Sequence, residues 1–511
     1  MPGPCTSSQC VEQCCLGLPP PSPGMRPCSQ DQKPPNGVSL TWEEAAETAW
    51  VDLNVAMAKA LYLSALPRGP ASDSPTRGGR GEATAWVAAP LGRRVYPRED
   101  YVREGLTYSP EERQLLAAQL GHFLRLAGEI DTSALLGASA PRGAVVVGGG
   151  HVLPQAMLAL WSLRQGGFAE PAQLWCYSFE CPSPTVEAYL RQNLNTAVVV
   201  IDRLLPALGA TDGGGSAMLS RKVLYDLSLY ALKVVAVTLA PFREVFLVDA
   251  DNIVLRDPGP IMDSAYFQQY GAVMWPDFGG LSVDPQVFPI AARAREMAGL
   301  TTPAAVPGEG SNPRLGVAPQ ATETLAGVVD YEALLAQAGF AAPRQAHESG
   351  QLAVDRARHL PGLFTALFLM AYPNRALEWM LCHSLGVGDK EPFAWGITLA
   401  GGDYHMVPYP VRWGGVPGSG HGVTHVAMAQ SGIDGELHFM HCNHREWTCA
   451  WLPRSMTSKE RRFPTVEGRG PLQEYFRSPG WLETGGPRWG AGDLESTLWA
   501  ITRGHCSLIS G

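Results

Sequence analysis

Between Gly143 and Asp251 short β-branched runs alternate with longer amphipathic stretches, and this alternation restricts the fold more than any other feature of the sequence. The segment "GAVVVGGG" is followed by "LPQAMLALWSLRQGG", then "AQLWCYS", a helical stretch near 184–193, "TAVVVID", the long "SRKVLYDLSLYALKVVAVTLA" and finally "EVFLVDAD". Strands joined through helices run parallel, and a parallel sheet needs helices on both faces because both are apolar. The expectation is an α/β fold with a Rossmann-like, mostly parallel sheet flanked by helices.

The fourth strand carries the chemistry. Its apolar run, Val245 to Val248, leads straight into Asp249 and Asp251, which places both carboxylates at the strand's C-terminal end, where open α/β sheets bind ligands. Two carboxylates separated by one residue repel each other unless a cation or a proton lies between them. A divalent metal answers that requirement, while Asp-Ala-Asp-Asn is also an ordinary turn after a strand. Gly148 to Gly150 close the first strand in the same way. They are consecutive rather than spaced G-x-G-x-x-G, and Pro154 lies at the start of the helix, so a tight turn and close approach of a nucleotide to Gly148 both remain open.

Bulk properties exclude other classes. The 511 residues exceed the size at which one core stops growing, and a net charge of −9 without a basic run excludes a general nucleic-acid binder. No apolar run reaches the roughly 18 to 20 residues of a membrane helix, and "MPGPCTSSQCVEQCCLGLPPPSPG" lacks the pattern of a signal peptide. As written the chain is expected to be soluble, with membrane association open if more sequence precedes it. Cys5, Cys10, Cys14, Cys15 and Cys28 crowd the start, and the odd total of 11 cysteines does not suggest a full disulfide framework. No Asn-x-Ser/Thr sequon demands a secretory lumen.

Two enzyme classes place Asp-x-Asp after a buried strand. Phosphatases of the haloacid-dehalogenase type follow the pair with Gly-Thr, whereas Asn252 and Ile253 follow here. Glycosyltransferases of the GT-A fold use the pair to hold Mn²⁺ or Mg²⁺ against the diphosphate of a nucleotide sugar, and the motif's position after several α/β units fits that class.

The segments "APFREVFLVDADNIVLRDP", "YGAVMWPDF", "ESGQLAVDR", "GDKEPFAWG" and "FMHCNHREW", in this order between about Gly143 and Trp447, together resemble the Golgi α-1,3-mannosyltransferase family of fungi. The resemblance implies a GT-A fold, a nucleotide-sugar donor (GDP-mannose), Mn²⁺, a glycan or glycoprotein acceptor, retention of anomeric configuration and a Golgi location. A UDP-sugar donor, or a GT-A-like protein that binds nucleotide sugar or glycan without turnover, are the alternatives.

The same resemblance suggests roles. His441 matches the late histidine that completes the metal shell with Asp249 and Asp251; a zinc site from His438, His441, His444 and Cys442 or Cys449 is the competing reading, with spacings unlike common zinc patterns. His444 and Arg445 would offset diphosphate charge. Glu348 and the run Asp389, Lys390 and Glu391 fall in blocks that approach the anomeric carbon and acceptor in related retaining enzymes, with solvated surface charge as the alternative. Trp275 and Asp277 would line the sugar pocket, unless Trp275 belongs to the core. Lys233 reaches the phosphates or lies on a helix surface. The expected organisation is a disordered Pro/Cys-rich tail (1–38), a helical N-terminal region (39–140) with helices from Thr41 and over about 109–130, a nucleotide-sugar-binding half (141–280), an acceptor-binding and metal-completing half (281–460, with an insertion at 294–342) and a C-terminal extension (461–511).

Overall fold

The structure, a computed structural model, describes residues 49, 52, 108–137, 139–201, 229–280, 283–300, 322–324, 327–329, 345–371, 377, 381, 390–418, 422–442, 449, 465–466, 470–471 and 494–510. The helix expected from Thr41 lies outside these residues except for Ala49 and Asp52, both helical. The second expected helix is α1 (Pro110–Glu129). It starts at a capping box in which the Ser109 hydroxyl accepts the Glu112 N–H and the Glu112 carboxylate accepts the Ser109 N–H.

The alternation then appears as β1 (Ala140–Val147), α2 (Leu153–Gly166), β2 (Ala172–Cys176), α3 (Pro184–Leu194), β3 (Thr196–Val200), α4 (Leu229–Leu239) and β4 (Phe242–Asp249). Beyond it lie β5 (Asn252–Val254), β6 (Ala272–Gly280), α5 (Val287–Met297), β7 (Thr322–Thr324), β8 (Gly327–Val329) and β9 (Gln345–Asp355). The chain continues through α6 (Arg356–Ala371), α7 (Lys390–Leu399), β10 (His405–Met406), β11 (Arg412–Gly418), β12 (Gly422–Ser431), β13 (Leu437–His441), β14 (Thr465–Val466), β15 (Gly470–Pro471) and α8 (Leu494–Ser510). Of the expected insertion, β7 and β8 are described as a two-stranded ribbon.

The main sheet has the order β10-β6-β9-β4-β1-β2-β3. Its pairs are parallel except where β9 runs antiparallel between β4 and β6. The mostly parallel sheet flanked by helices that the alternation implies is therefore present. A second, antiparallel sheet, β15-β14-β11-β12-β13-β5, begins two residues after β4 ends, so the chain changes sheets at the aspartate pair.

Strand periodicity divides the core. Val145, Val245, Leu247 and Val354 face a cluster built with α1, α4, α5, α6 and α7, while Val146, Phe246, Val248 and Ala353 face one built with α2, α8 and the second sheet. Wholly buried Arg356 fixes the approach to β4. Its guanidinium donates to the carbonyls of Thr238 (3.0 Å), Ala240 and Phe242 (2.6 Å), closing the C-terminal end of α4.

Among the described residues Cys176 bonds to Cys181 and Cys449 to Cys506. Local loop closure and the docking of α8 bring these four into two pairs, which is short of a full framework for a chain with 11 cysteines. No helix among the described residues is long and apolar enough to cross a membrane.

Candidate active site

Asp249 is the last residue of β4, Asp251 lies in the turn that follows, and His441 ends β13. Ligand atoms of the three lie within 4.8 Å of one another. His441 Nε2 stands 3.0 Å from Asp251 Oδ1 and 3.9 Å from Asp249 Oδ2. The backbone explains the meeting: Asn252 pairs with His441 across β5 and β13, and the Cys442 N–H donates to the Asp251 carbonyl at 2.8 Å. Buried Asn252 also ties the turn to β9, donating from Nδ2 to the Gly350 carbonyl (2.8 Å) and to Gln351 Oε1 (2.5 Å). A Cβ on Gly350 would come within 2.7 Å of His441 Nδ1, so a glycine in "ESGQ" is what admits the imidazole.

The electrostatics are those of a cation site. Burial works against charge on His441, yet Asp251, Glu348 and Asp249 lift its pKa to about 9. Burial likewise pushes Asp251 up, but His441 and Lys233 hold it below the ordinary carboxylate range. Lys233 Nζ donates to Asp249 Oδ2 at 2.6 Å, so α4 delivers its lysine to the Asp249 carboxylate rather than to open solvent. Two carboxylates and an imidazole with converging donor atoms fit a divalent ion, and the oxygen-rich set suits Mn²⁺ or Mg²⁺.

Glu348 and Lys390 extend this cluster. Glu348, on β9, is buried with Oε1 3.5 Å from His441 Nδ1 and accepts the Gly350 N–H at 3.0 Å. Lys390 opens α7, with Nζ 2.7 Å from Asp277 Oδ2 and 3.6 Å from Glu348 Oε2. Asp277 therefore joins the site from β6, whereas fully buried Trp275 belongs to the core, donating from Nε1 to the Ser431 carbonyl.

The run Asp389, Lys390 and Glu391 marks Glu391 in the sequence, but not its partners His347 and Tyr404. Glu391 accepts the His347 backbone N–H at 3.2 Å and lies 3.3 Å from His347 Nδ1, while His347 Nε2 lies 2.9 Å from the Tyr404 hydroxyl. The neighbouring pairs His347–Glu348 on β9 and Lys390–Glu391 at the start of α7 are the signal: adjacent residues face opposite sides of a strand and point about 100° apart on a helix, so one member serves the site and the other its anchorage.

Gly148 lies at the turn after β1, where a Cβ would sit 2.9 Å from Ala156 Cβ on α2. Asp389, His444 and Arg445 lie outside the described residues. The alternative zinc set does not assemble among the described residues, since Cys449 is disulfide-bonded and His438 Nε2 lies 3.1 Å from Asp434.

Comparison with known proteins agrees with this geometry. Alpha-1,2-mannosyltransferase MNN23 of Candida albicans is 25% identical over 294 residues, 57% of this chain and 45% of the relative. Alpha-1,2-mannosyltransferase MNN21 of the same organism is 26% identical over 331 residues, 60% of this chain and 45% of the relative. The chain thus spans about half the length of these relatives, and their names carry an α-1,2 linkage where the sequence blocks suggested α-1,3. Among solved structures, core-mannan synthase A of Aspergillus fumigatus in a Mn/GDP form is 11% identical over 51% of this chain and 70% of that one; its TM-score of 0.31 is a level at which likeness carries no argument. A family model described as "Mannosyltransferase putative" matches residues 141–432, which include β4, the Asp-x-Asp turn, Glu348 and Lys390. That match covers more than half of the chain, which belongs to this mannosyltransferase family.

Proposed function

We propose that the chain is a metal-dependent, retaining GT-A-type glycosyltransferase that moves mannose from GDP-mannose to a glycan or glycoprotein hydroxyl. The observation that carries this reading is the convergence of Asp249, Asp251 and His441 within 4.8 Å at the C-terminal end of a strand of the main sheet. The relatives' names favour an α-1,2 linkage over the α-1,3 linkage that the sequence blocks first suggested. Two disulfides support residence in an oxidising compartment, in keeping with the Golgi lumen.

Asp249, Asp251 and His441 would hold Mn²⁺ or Mg²⁺, and the bound ion supplies charge neutralisation for the leaving diphosphate. Gly148 would border the nucleotide, and His444 and Arg445, just beyond β13, would add positive charge at the phosphates. Lys233 acts one step back, holding Asp249 in orientation. Glu348 faces the Nδ1 edge of His441 at 3.5 Å, where its negative charge favours a proton on Nδ1 and leaves Nε2 to act as a ligand. Lys390, paired with Asp277, brings a positive charge beside Glu348. Asp389, its sequence neighbour, acts at the anomeric carbon.

The test is a hydrolysis and transfer screen over GDP- and UDP-sugars, with Mn²⁺ and with chelator, followed by NMR of the product anomer. Metal-dependent GDP release from GDP-mannose and an α-linked product are expected. Preference for a UDP-sugar moves the donor assignment, and a β-linked product removes retention. Asp251→Asn should fold normally and lose metal-dependent turnover; unchanged turnover in that variant removes the metal site.

A further inference from the structure

The second sheet carries one row of side chains across its strands. Asn252 pairs with His441, His441 with Met428, and Met428 with Trp413. Directly opposed residues of antiparallel strands share a face, so Trp413 lies on the face that presents His441. Two strand spacings separate them, about 10 Å. A bulge follows at once, between Gly414 and Gly415, where strands commonly re-aim side chains beside functional sites.

Trp413 meets Phe278 there, the rings stacked with centroids 3.6 Å apart and planes 15° from parallel. Phe278 follows Asp277, the partner of Lys390, and its N–H donates to Asp277 Oδ1 at 2.7 Å, so the stack lies one residue along β6 from the Asp277–Lys390 pair. Phe278 is nevertheless 36% exposed, one of four large apolar side chains left so among the described residues. An aromatic ring held flat by a second ring and still more than a third exposed is arranged to receive something rather than to fill a core.

Sheet order says what arrives there. The turn at Gly148 lies on the β1 side of β4, and β6 lies on the opposite side, beyond β9. A nucleotide over Gly148 and its diphosphate at the aspartates leave the β6 side for the acceptor. We propose that Phe278, backed by Trp413, is the platform on which the acceptor saccharide stacks. This rests on the mannosyltransferase reading above and names its acceptor subsite. The ligand class is a pyranose that presents a patch of C–H hydrogens, as mannose does through its C3–H and C5–H; these hydrogens are electron-poor and the ring face is electron-rich.

The full chain with Mn²⁺ and GDP is titrated with α-linked mannobiose by ligand-observed NMR, as wild type, Phe278→Ala, Phe278→Tyr and Trp413→Ala. Affinity should fall about three- to tenfold in Phe278→Ala and Trp413→Ala and be retained in Phe278→Tyr, on the scale of one aromatic stacking contact. Acceptor KM should rise by a similar factor with a smaller change in donor KM. Equal mannobiose affinity in wild type and Phe278→Ala overturns the platform, as does absence of binding by wild type at millimolar mannobiose. Should GDP-mannose prove not to be a substrate, the function falls while mannobiose binding still decides the platform; GDP-mannose turnover with unaltered acceptor KM in Phe278→Ala removes the platform alone.

Discussion

Asn252 and His441 are cross-strand partners, and the Asn252 side chain is at the same time bonded to Gly350 and Gln351 of β9. The residue after the second aspartate is thus the joint that brings three strands to one cation site. Asn252→Ala should remove about 1–3 kcal/mol of stability by leaving buried acceptors unpaired, and should weaken Mn²⁺ affinity without removing a ligand. Denaturant unfolding together with a manganese titration checks both; unaltered Mn²⁺ affinity would place Asn252 outside the site's support.

Metal binding should be proton-linked through His441. Its pKa is raised to about 9, so at neutral pH a cation must displace a proton from the imidazole. Apparent affinity should rise with pH until about 9 and fall by about tenfold per unit on the acid side. Calorimetry in buffers of different ionisation enthalpy reads the released proton, and His441→Gln should flatten the slope.

Glu391 should act through Lys390. Glu391→Ala strips the partner from the buried His347 N–H and ring, costing about 1–3 kcal/mol and loosening the first turn of α7. Turnover should fall more than donor KM rises, and Glu391→Gln should recover part of the loss because it still accepts the backbone N–H. A donor KM effect alone would contradict this placement.

The Cys449–Cys506 bond should matter most when the chain is otherwise strained. It closes a separation of 57 residues, for which the chain-entropy treatment gives about 4 kcal/mol as an upper figure. Urea unfolding of Cys506→Ser against wild type, with and without reductant, measures it; reductant should destabilise wild type by more than the variant, which has only the Cys176–Cys181 bond of the two left to lose.

Acid should release α8 from the body. Burial holds His505 down to about 3, from an ordinary 6.5, against the edge of Tyr189. The unfolded chain therefore binds the extra proton between these values, and stability falls as pH drops from about 6.5 toward about 3. His505→Phe should flatten the loss in that window, as followed by thermal unfolding across pH.

Local pattern made much of this legible. The helix over about 109–130, the β-branched strands and the aspartates at the end of β4 each follow from spacing within a few residues. What escaped depends on distant segments. Trp275 and Phe278 stand three residues apart on β6, yet one is fully buried against Phe439 and the other is exposed over Trp413; no local signal separates them, because the covering strands lie far along the chain. Lys233 reads as a surface residue on its helix and is placed at Asp249 by the packing of α4. Cys449 and Cys506 find each other only once α8 docks.

Because β9 lies between β4 and β6, the main sheet cannot close in the order in which the chain emerges from the ribosome. β4 and β6 are both made before β9, and the edge of β4 that β9 will cover waits while some hundred further residues are added, roughly 5–20 s at the pace of synthesis. Through that interval a nascent polypeptide displays the open edge of a strongly apolar strand that ends in Asp249. Such an edge invites pairing with the wrong chain, and the stage most in need of chaperone protection is the one just before Gln345–Asp355 arrives.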